Sequence, residues 1–355
     1  MTTPSQTSRF PLQRVAAATA LVSGVLLLTA CGGGGGGGGD APPTPPTSGL
    51  SQSDATADSA NATSTGEGTA SAIDSVIDTT SSLAVAVQQP AATSTSARMQ
   101  VLSARPSANP SDPPFTNVTV DCAGGGTATL TITGGTLASE ANGQLDAGEH
   151  YSVTYAQCTG QAGWAQLNGS VEMDVASADR STSPTTFSVN VTVTNLALSL
   201  PSGNATLNGT ATASRSVVTG NGTTTTTSHV TVPSATLATA FNARSGTFTL
   251  SGLDATRTLT TVAGVTTASQ YSGHHTLSGT ANGRAFSLNV STTGNVNYDA
   301  TGALVSGAWT VVRPNATIAT TVANGIVIMT VDDGNDGTID HTWTFSTAQL
   351  SAAAG

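Results

Sequence analysis

Phe187-Ser-Val-Asn-Val-Thr-Val193 places an apolar residue at every second position over seven residues. That period belongs to a half-buried β-strand and cannot sit as a helix. The alternation recurs through Val118/Val120, Ala128/Leu130/Ile132, Tyr151/Val153/Tyr155, Phe248/Leu250, Phe286/Leu288/Val290, Trp309/Val311, Ile326/Ile328 and Trp343/Phe345. Turn signals such as Gly134-Gly135, Ala141-Asn142-Gly143, Gly220-Asn221-Gly222 and Ala281-Asn282-Gly283 separate the runs. No ten-residue stretch of helical period lies between them, which excludes parallel βαβ units. Residues 115–350 are therefore expected to form one all-β domain, a single large antiparallel meander.

A short signature repeats inside that domain. Leu167-Asn-Gly-Ser170, Leu207-Asn-Gly-Thr210, Leu277-Ser-Gly-Thr280 and Val305-Ser-Gly-Ala308 each set a glycine after an apolar-polar pair. Strand glycines mark bulges or tight bends. A meander this large must curl or split to hide its edges, and barrel-like closure is favoured over a two-sheet sandwich.

Residues 32–114 differ in kind. Pro42-Pro43-Thr44-Pro45-Pro46, Ser/Thr clusters and Asn109-Pro-Ser-Asp-Pro-Pro114 punctuate them, with few large apolar side chains. This composition reads as a mostly disordered tether. Within it Ile73, Val76, Ile77, Ala84 and Val87 share a helical face, with Asp74 and Asp78 off it, so one short helix is expected.

The N-terminus carries Arg9 and Arg14, then an apolar run over residues 15–28 that is too short to span a bilayer. Leu28-Thr-Ala-Cys31 follows, and then eight glycines, residues 32–39. This resembles the lipobox of bacterial lipoprotein signal peptides. The resemblance implies that residues 1–30 are removed and that Cys31 carries acyl chains, palmitate among them, through which the chain contacts a lipid bilayer. The absence of aspartate after Cys31 implies the outer membrane, on its periplasmic or cell-surface face. Two or three acyl chains anchor stably where one is marginal.

With the polyglycine tether and the Leu-x-Gly-Thr strand starts, the chain is similar to surface lipoproteins of the transferrin-binding and factor-H-binding kind. It is more similar to β-rich lipoproteins of environmental β-proteobacteria, which share a Cys…Gly-Gly-Thr…Tyr…Cys opening and an Asp/Gly-rich C-terminal hairpin. The resemblance implies architecture and location and supplies no ligand-binding residue.

Charge narrows the function classes. Loss of Arg9 and Arg14 from 10 basic residues leaves 8 against 20 acidic, a net charge of −12, and the chain contains no lysine. Nucleic acid is a poor partner for such a chain. Phosphate-loop, Schiff-base and Ser-x-x-Lys lysine chemistry is excluded.

Cys122 and Cys158 remain once Cys31 is acylated, and an exported chain with one such pair is expected to form a structural disulfide. Asp332-Asp-Gly-Asn-Asp336-Gly-Thr-Ile-Asp340 admits two readings. Asp332, Asp336 and Asp340 fit alternate oxygen-ligand positions of a calcium loop, but Gly334 and Trp343 stand where further ligands belong. The favoured reading is a hairpin turned at Asp336-Gly337, with no cofactor. His274-His275 point to opposite faces of a strand, and Trp164, Trp309 and Trp343 read as core. Asp146, Glu149, Glu172 and Asp174 are the carboxylates that could serve as acid and base.

The expectation is an outer-membrane-anchored, non-enzymatic lipoprotein displaying a β domain for binding or adhesion, its ligand unspecified. A purely structural envelope protein and a polysaccharide-acting hydrolase are the alternatives. A hollow interior would favour a small-molecule ligand, and a filled one surface contacts or structure.

Overall fold

The computed structural model describes residues 49–88, 117–122, 124–135, 145–159, 166–181, 183–200, 203–241, 244–281 and 284–354. Helix α1 (Gln52–Gln88) comes first. Strands β1 (Val118–Asp121), β2 (Thr127–Thr133), β3 (His150–Thr159), β4 (Gln166–Asp179) and β5 (Thr185–Leu200) follow. After them come β6 (Gly203–Gly220), β7 (Thr223–Phe241), β8 (Arg244–Val262), β9 (Val265–Ala281) and β10 (Arg284–Thr292). The chain ends with β11 (Val296–Asp299), β12 (Leu304–Arg313), β13 (Ala316–Ala323), β14 (Ile326–Asp333), β15 (His341–Ser346) and helix α2 (Thr347–Ala354).

All fifteen strands belong to one antiparallel sheet. Each pairs with its neighbour in chain order, except that β9 carries both β10 and β11 along its length, and β12 pairs with both. The path runs from β1 to β15, and among the described residues no ladder joins those two ends. Within the described residues the meander is one continuous sheet.

Alternation builds it as the sequence implies. Val189, Val191 and Val193 of β5 are buried, with exposed Asn190 and half-buried Thr192 between them. Two-residue turns reverse the chain at Asn221-Gly222 and Asn324-Gly325, both residues at positive φ in each. The repeated glycines are where strands touch most closely. A Cβ on Gly169 (φ 111°) would lie 2.2 Å from the Asn195 carbonyl oxygen, and one on Gly279 would lie 2.2 Å from that of Thr247. The ladder slips register beside Gly169, between Asn168 and Ser170.

The tether expectation fails over Gln52–Gln88. A helix was expected around Ile73 and Val87; instead it begins some twenty residues earlier and lies inside the curl of the sheet. Ala55 through Thr63 are buried without interruption. At 100° per residue such a run has no solvent face, so α1 is enclosed from every side there. The side chains of Ala84 and Val87 lie outside the described residues, as do Cys31, the rest of the expected signal and tether, and Trp164.

Two apolar clusters grip the helix. Ile73 and Ile77 pack with Leu130, Tyr151, Met173 and Phe248, while Ala55, Ala60 and Ala62 pack with Trp309, Ile318, Met329 and Leu350 of α2. Both helices open on a side-chain cap. Ser51 Oγ accepts the Asp54 amide at 3.2 Å, and Ser346 Oγ accepts the Gln349 amide at 3.3 Å while Gln349 Oε1 accepts that of Ser346 at 2.9 Å.

Candidate functional site

Three arginines occupy strand positions whose alternation calls for core residues. Arg215 follows Ala211 and Ala213, Arg257 follows Leu253 and Ala255, and Arg313 follows Trp309 and Val311. A cation in the buried phase of a strand needs a counter-charge, and α1 supplies it at three stations. Asp58 meets Arg313 at 2.6 Å. Glu67 and Asp74 meet Arg257 at 3.3 and 3.5 Å. Asp74 and Asp78 both meet Arg215, at 2.9 and 2.5 Å, and the Arg215 guanidinium also lies over the Phe187 ring. Four carboxylates spread along the helix thus register it against β6, β8 and β12.

Between the stations the contact is polar and close. Ser59 Oγ and Thr320 Oγ1 are 2.6 Å apart, and the Trp309 indole N–H donates to Ser59. At Gly66 the sheet presses against the helix: a Cβ there would stand 2.2 Å from the Tyr271 hydroxyl and 2.8 Å from the His275 ring. Neither the Tyr271 hydroxyl nor either His275 ring nitrogen completes a hydrogen bond, and Asn61 Oδ1 also lacks one. Burial, reinforced by neighbouring His274, pushes the His275 pKa down to about 4; the Ala62 backbone carbonyl pulls weakly the other way. Burial pushes Asp58 up to about 6, outweighing Arg313, with Asp54 adding to the rise. Tyr271 and Tyr298 are raised by burial first, and by Glu67 next.

Beside this polar seam lies an apolar hollow of about 50 Å³. Thr65, Thr69 and Ile73 of α1 form one wall; Leu207, Leu237, Phe248, Leu250 and Leu277 are among the residues that close the others. The Thr65 and Thr69 hydroxyls each donate to the helix carbonyl four residues back, at 2.8 Å. Among the described residues the domain interior is therefore filled by a helix, with a small cavity along its flank.

The residues singled out from the sequence are placed as follows. Cys122 and Cys158 are bonded, with Cα atoms 5.4 Å apart. They are not on adjacent strands, because β2 lies between β1 and β3. The turn after β1 reaches across instead, with the Gly124 amide donating to Thr159 O and the Thr159 amide to Gly125 O. Asp332 accepts the amides of Asp336 and Gly337, Asp336 accepts that of Thr338, and Asp340 accepts that of Asp333. The three carboxylates are turned onto the backbone of their own hairpin. Among the described residues no group of three His, Cys, Asp or Glu converges as a metal site.

His274 is exposed and His275 buried, on opposite faces. Trp309 is core; Trp343 is half-buried and stacks on His341. Of the four acid-base candidates, Glu149 is buried and accepts the Tyr151 hydroxyl, Asp146 pairs with Arg180 at 3.6 Å, and Asp174 meets His150 at 2.7 Å.

Sequence reasoning passed over Arg215, Arg257, Arg313 and their helix partners. The signal was present, since each arginine breaks the apolar phase of its strand, and Ser51-Gln-Ser-Asp54 has the form of a helix cap. Compared with known proteins, the chain matches no family model, no curated protein and no solved structure.

Proposed function

We propose that this is a lipid-anchored, non-enzymatic protein of the cell envelope, which presents a pre-folded β domain for binding or adhesion. The observation that carries the reading is how the interior is used. Its arginines are matched to helix carboxylates, and its volume is taken by α1. Of the four carboxylates considered for hydrolysis, Glu149, Asp146 and Asp174 are engaged with Tyr151, Arg180 and His150, and Glu172 is exposed on the outward face of β4. What the domain offers to macromolecular partners is its outward face, rich in hydroxyls. Thr212 with Thr231, Thr227 with Thr258 and Ser177 with Ser188 form cross-strand pairs there. Such a surface is hydrogen-bonding and sparsely charged, its exposed charges such as Asp174 and Asp254 being acidic, which suits contact with glycans or neighbouring surfaces more than with nucleic acid.

The lipobox resemblance supports an anchor at Cys31, in the outer membrane. Replacing Cys31 by Ser tests it: the variant should leave the membrane fraction or stall as a precursor. Fractionation of Cys31→Ser as a mature outer-membrane protein would refute the anchor.

A further inference from the structure

We infer that Asn324, at the tip of the β13–β14 turn, is a site of spontaneous covalent modification, in which its carboxamide is exchanged for water with loss of ammonia, and that the modified turn unseats α2. This does not depend on how the chain is anchored or on what its outward face contacts.

An asparagine followed by glycine is open to this chemistry because glycine has no Cβ to block its backbone nitrogen. The chain holds six such pairs, at Asn142, Asn168, Asn208, Asn221, Asn282 and Asn324; Asn142 and Asn282 lie outside the described residues. The other four are of two kinds. Asn168 and Asn208 are held. Asn168 Oδ1 accepts the Gln157 amide at 2.8 Å, and Asn208 Oδ1 accepts the Asn195 amide at 2.7 Å. The glycines after them lie inside the sheet, Gly169 facing Tyr155, and Gly209 facing both Val193 and Ala235. Neither carboxamide reaches the nitrogen that follows it until part of the ladder opens.

Asn221 and Asn324 are presented. Each is exposed at a turn tip, and the exposed glycine after it has open space where a Cβ would stand. The pairs Gly220 with Thr223 and Ala323 with Ile326 close the ladder just below, so the Gly222 and Gly325 nitrogens stand beyond it. Among the described residues neither carboxamide is held by a hydrogen bond.

Water is the only co-reactant. The Gly325 nitrogen gives its proton to solvent and attacks Asn324 Cγ; the new N–Cγ bond closes a succinimide ring as the carboxamide nitrogen leaves as ammonia. Water then breaks one of the two ring C–N bonds. Cleavage at Cγ leaves aspartate, and cleavage at the main-chain carbonyl leaves isoaspartate, with the backbone running through the side-chain carbon. That added methylene spoils a two-residue turn whose twist matches its strands. At Asn324 the damage spreads. Gly325 O accepts the amide of Thr347, the first residue of α2, at 3.0 Å, and Leu350 of α2 packs with Ala55, Ala60 and Ala62 of α1. A distorted turn no longer offers that carbonyl, and α2 loses its seat. At Asn221 the matching carbonyl, Gly222 O, accepts only the Ala263 amide of the next turn, at 3.3 Å.

The test is to age the full chain in mildly alkaline water enriched in heavy oxygen and to map its peptides by mass spectrometry. Asn324 and Asn221 should each take up heavy oxygen and yield mixed aspartate and isoaspartate. They should do so at least about tenfold faster than Asn168 and Asn208, since each ~1.4 kcal/mol of prior opening costs tenfold in rate. Hydrogen exchange over residues 347–354 should speed up in the aged chain. It should not in aged Asn324→Gly, which keeps positive φ accessible and has no carboxamide to lose. Equal labelling of all four sites overturns the proposal, as does labelling of Asn324 only when the chain is unfolded in urea. Unchanged exchange in α2 of the aged chain overturns the link from turn to helix.

Discussion

Asp58 and His275 lie on opposite partners of the helix–sheet seam, and their titrations should cancel. His275 falls from 6.5 to about 4 because the buried ring resists charge, a pull that its neighbour His274 reinforces and the Ala62 backbone only partly opposes. Between those values the unfolded chain takes up a proton that the folded chain refuses, so folding is penalised as pH drops. The gap of about 2.5, at 1.36 kcal/mol each, makes the full penalty about 3 kcal/mol below pH 4. Asp58 runs the other way. Its pKa rises from 3.8 to about 6, so the folded chain holds the proton more tightly. Its burial penalty, also about 3 kcal/mol, is present above pH 6 and relieved as pH falls to 4.

From pH 6.5 to 4 one cost appears as the other vanishes, and this pair leaves the wild type nearly level. Single substitutions should expose each half. In urea titrations at several pH values, Asp58→Asn should lose about 2 kcal/mol relative to wild type on going from pH 6.5 to 4, and His275→Gln should gain about as much. The double variant should track the wild type again. Taking differences removes the background from other carboxylates. If either single difference is flat across this window, the assignment of burial as the dominant cause is wrong.

Other outcomes follow from the same geometry. Gly66→Ala should destabilise by about 2 kcal/mol through overpacking against the Tyr271 hydroxyl and the His275 ring, measured by urea midpoint, and Tyr271→Phe should recover only part of it, because the ring still crowds the new methyl. Removing Cys122 and Cys158 together should cost about 3.5–4 kcal/mol by loop entropy, seen as a lower melting temperature with the β-rich circular dichroism intact. Millimolar calcium should leave the melting temperature where magnesium leaves it, while Gly337→Ala, at φ 90°, should lower stability by about 1 kcal/mol.

The sheet was legible because Val, Ile, Leu and Thr alternate so regularly that period two has no rival reading, and the paired turn residues set where each strand ends. The helix was not, for a physical reason. Sequence reading finds helices by an apolar stripe, and α1 has one only around Ile73 and Ile77. Elsewhere it is buried through Ala, Ser, Thr and Asp, because the surface enclosing it supplies the bulk, from Trp309, Ile318 and Met329, together with the arginines and hydroxyls that its polar groups meet. Short polar side chains of this kind read as solvated tether whenever the partner surface is unseen. The site residues were hidden by the same cause. Arg215 and Asp74 look like solvent-facing charges until register and enclosure bring them to 2.9 Å, and no spacing rule links residues 141 positions apart. The disulfide was legible by counting thiols, although not the turn that closes it.

The seam between α1 and the last strands joins the two ends of the chain's timeline. Ser59 is made early, yet its partners Trp309 and Thr320 lie 250 and 261 residues downstream. A segment this poor in large apolar groups holds little helix alone. It must therefore wait as coil while the hairpins of β1 to β15 zip locally, and it closes last, after the longest loop in the molecule has formed. The first part of the domain to leave the ribosome is thus the last to fold. A chain truncated before β12 should keep the Arg215 and Arg257 pairs with the second half of the helix but leave Asp58 and Ser59 without Arg313, Trp309 and Thr320, so its first half should stay unanchored.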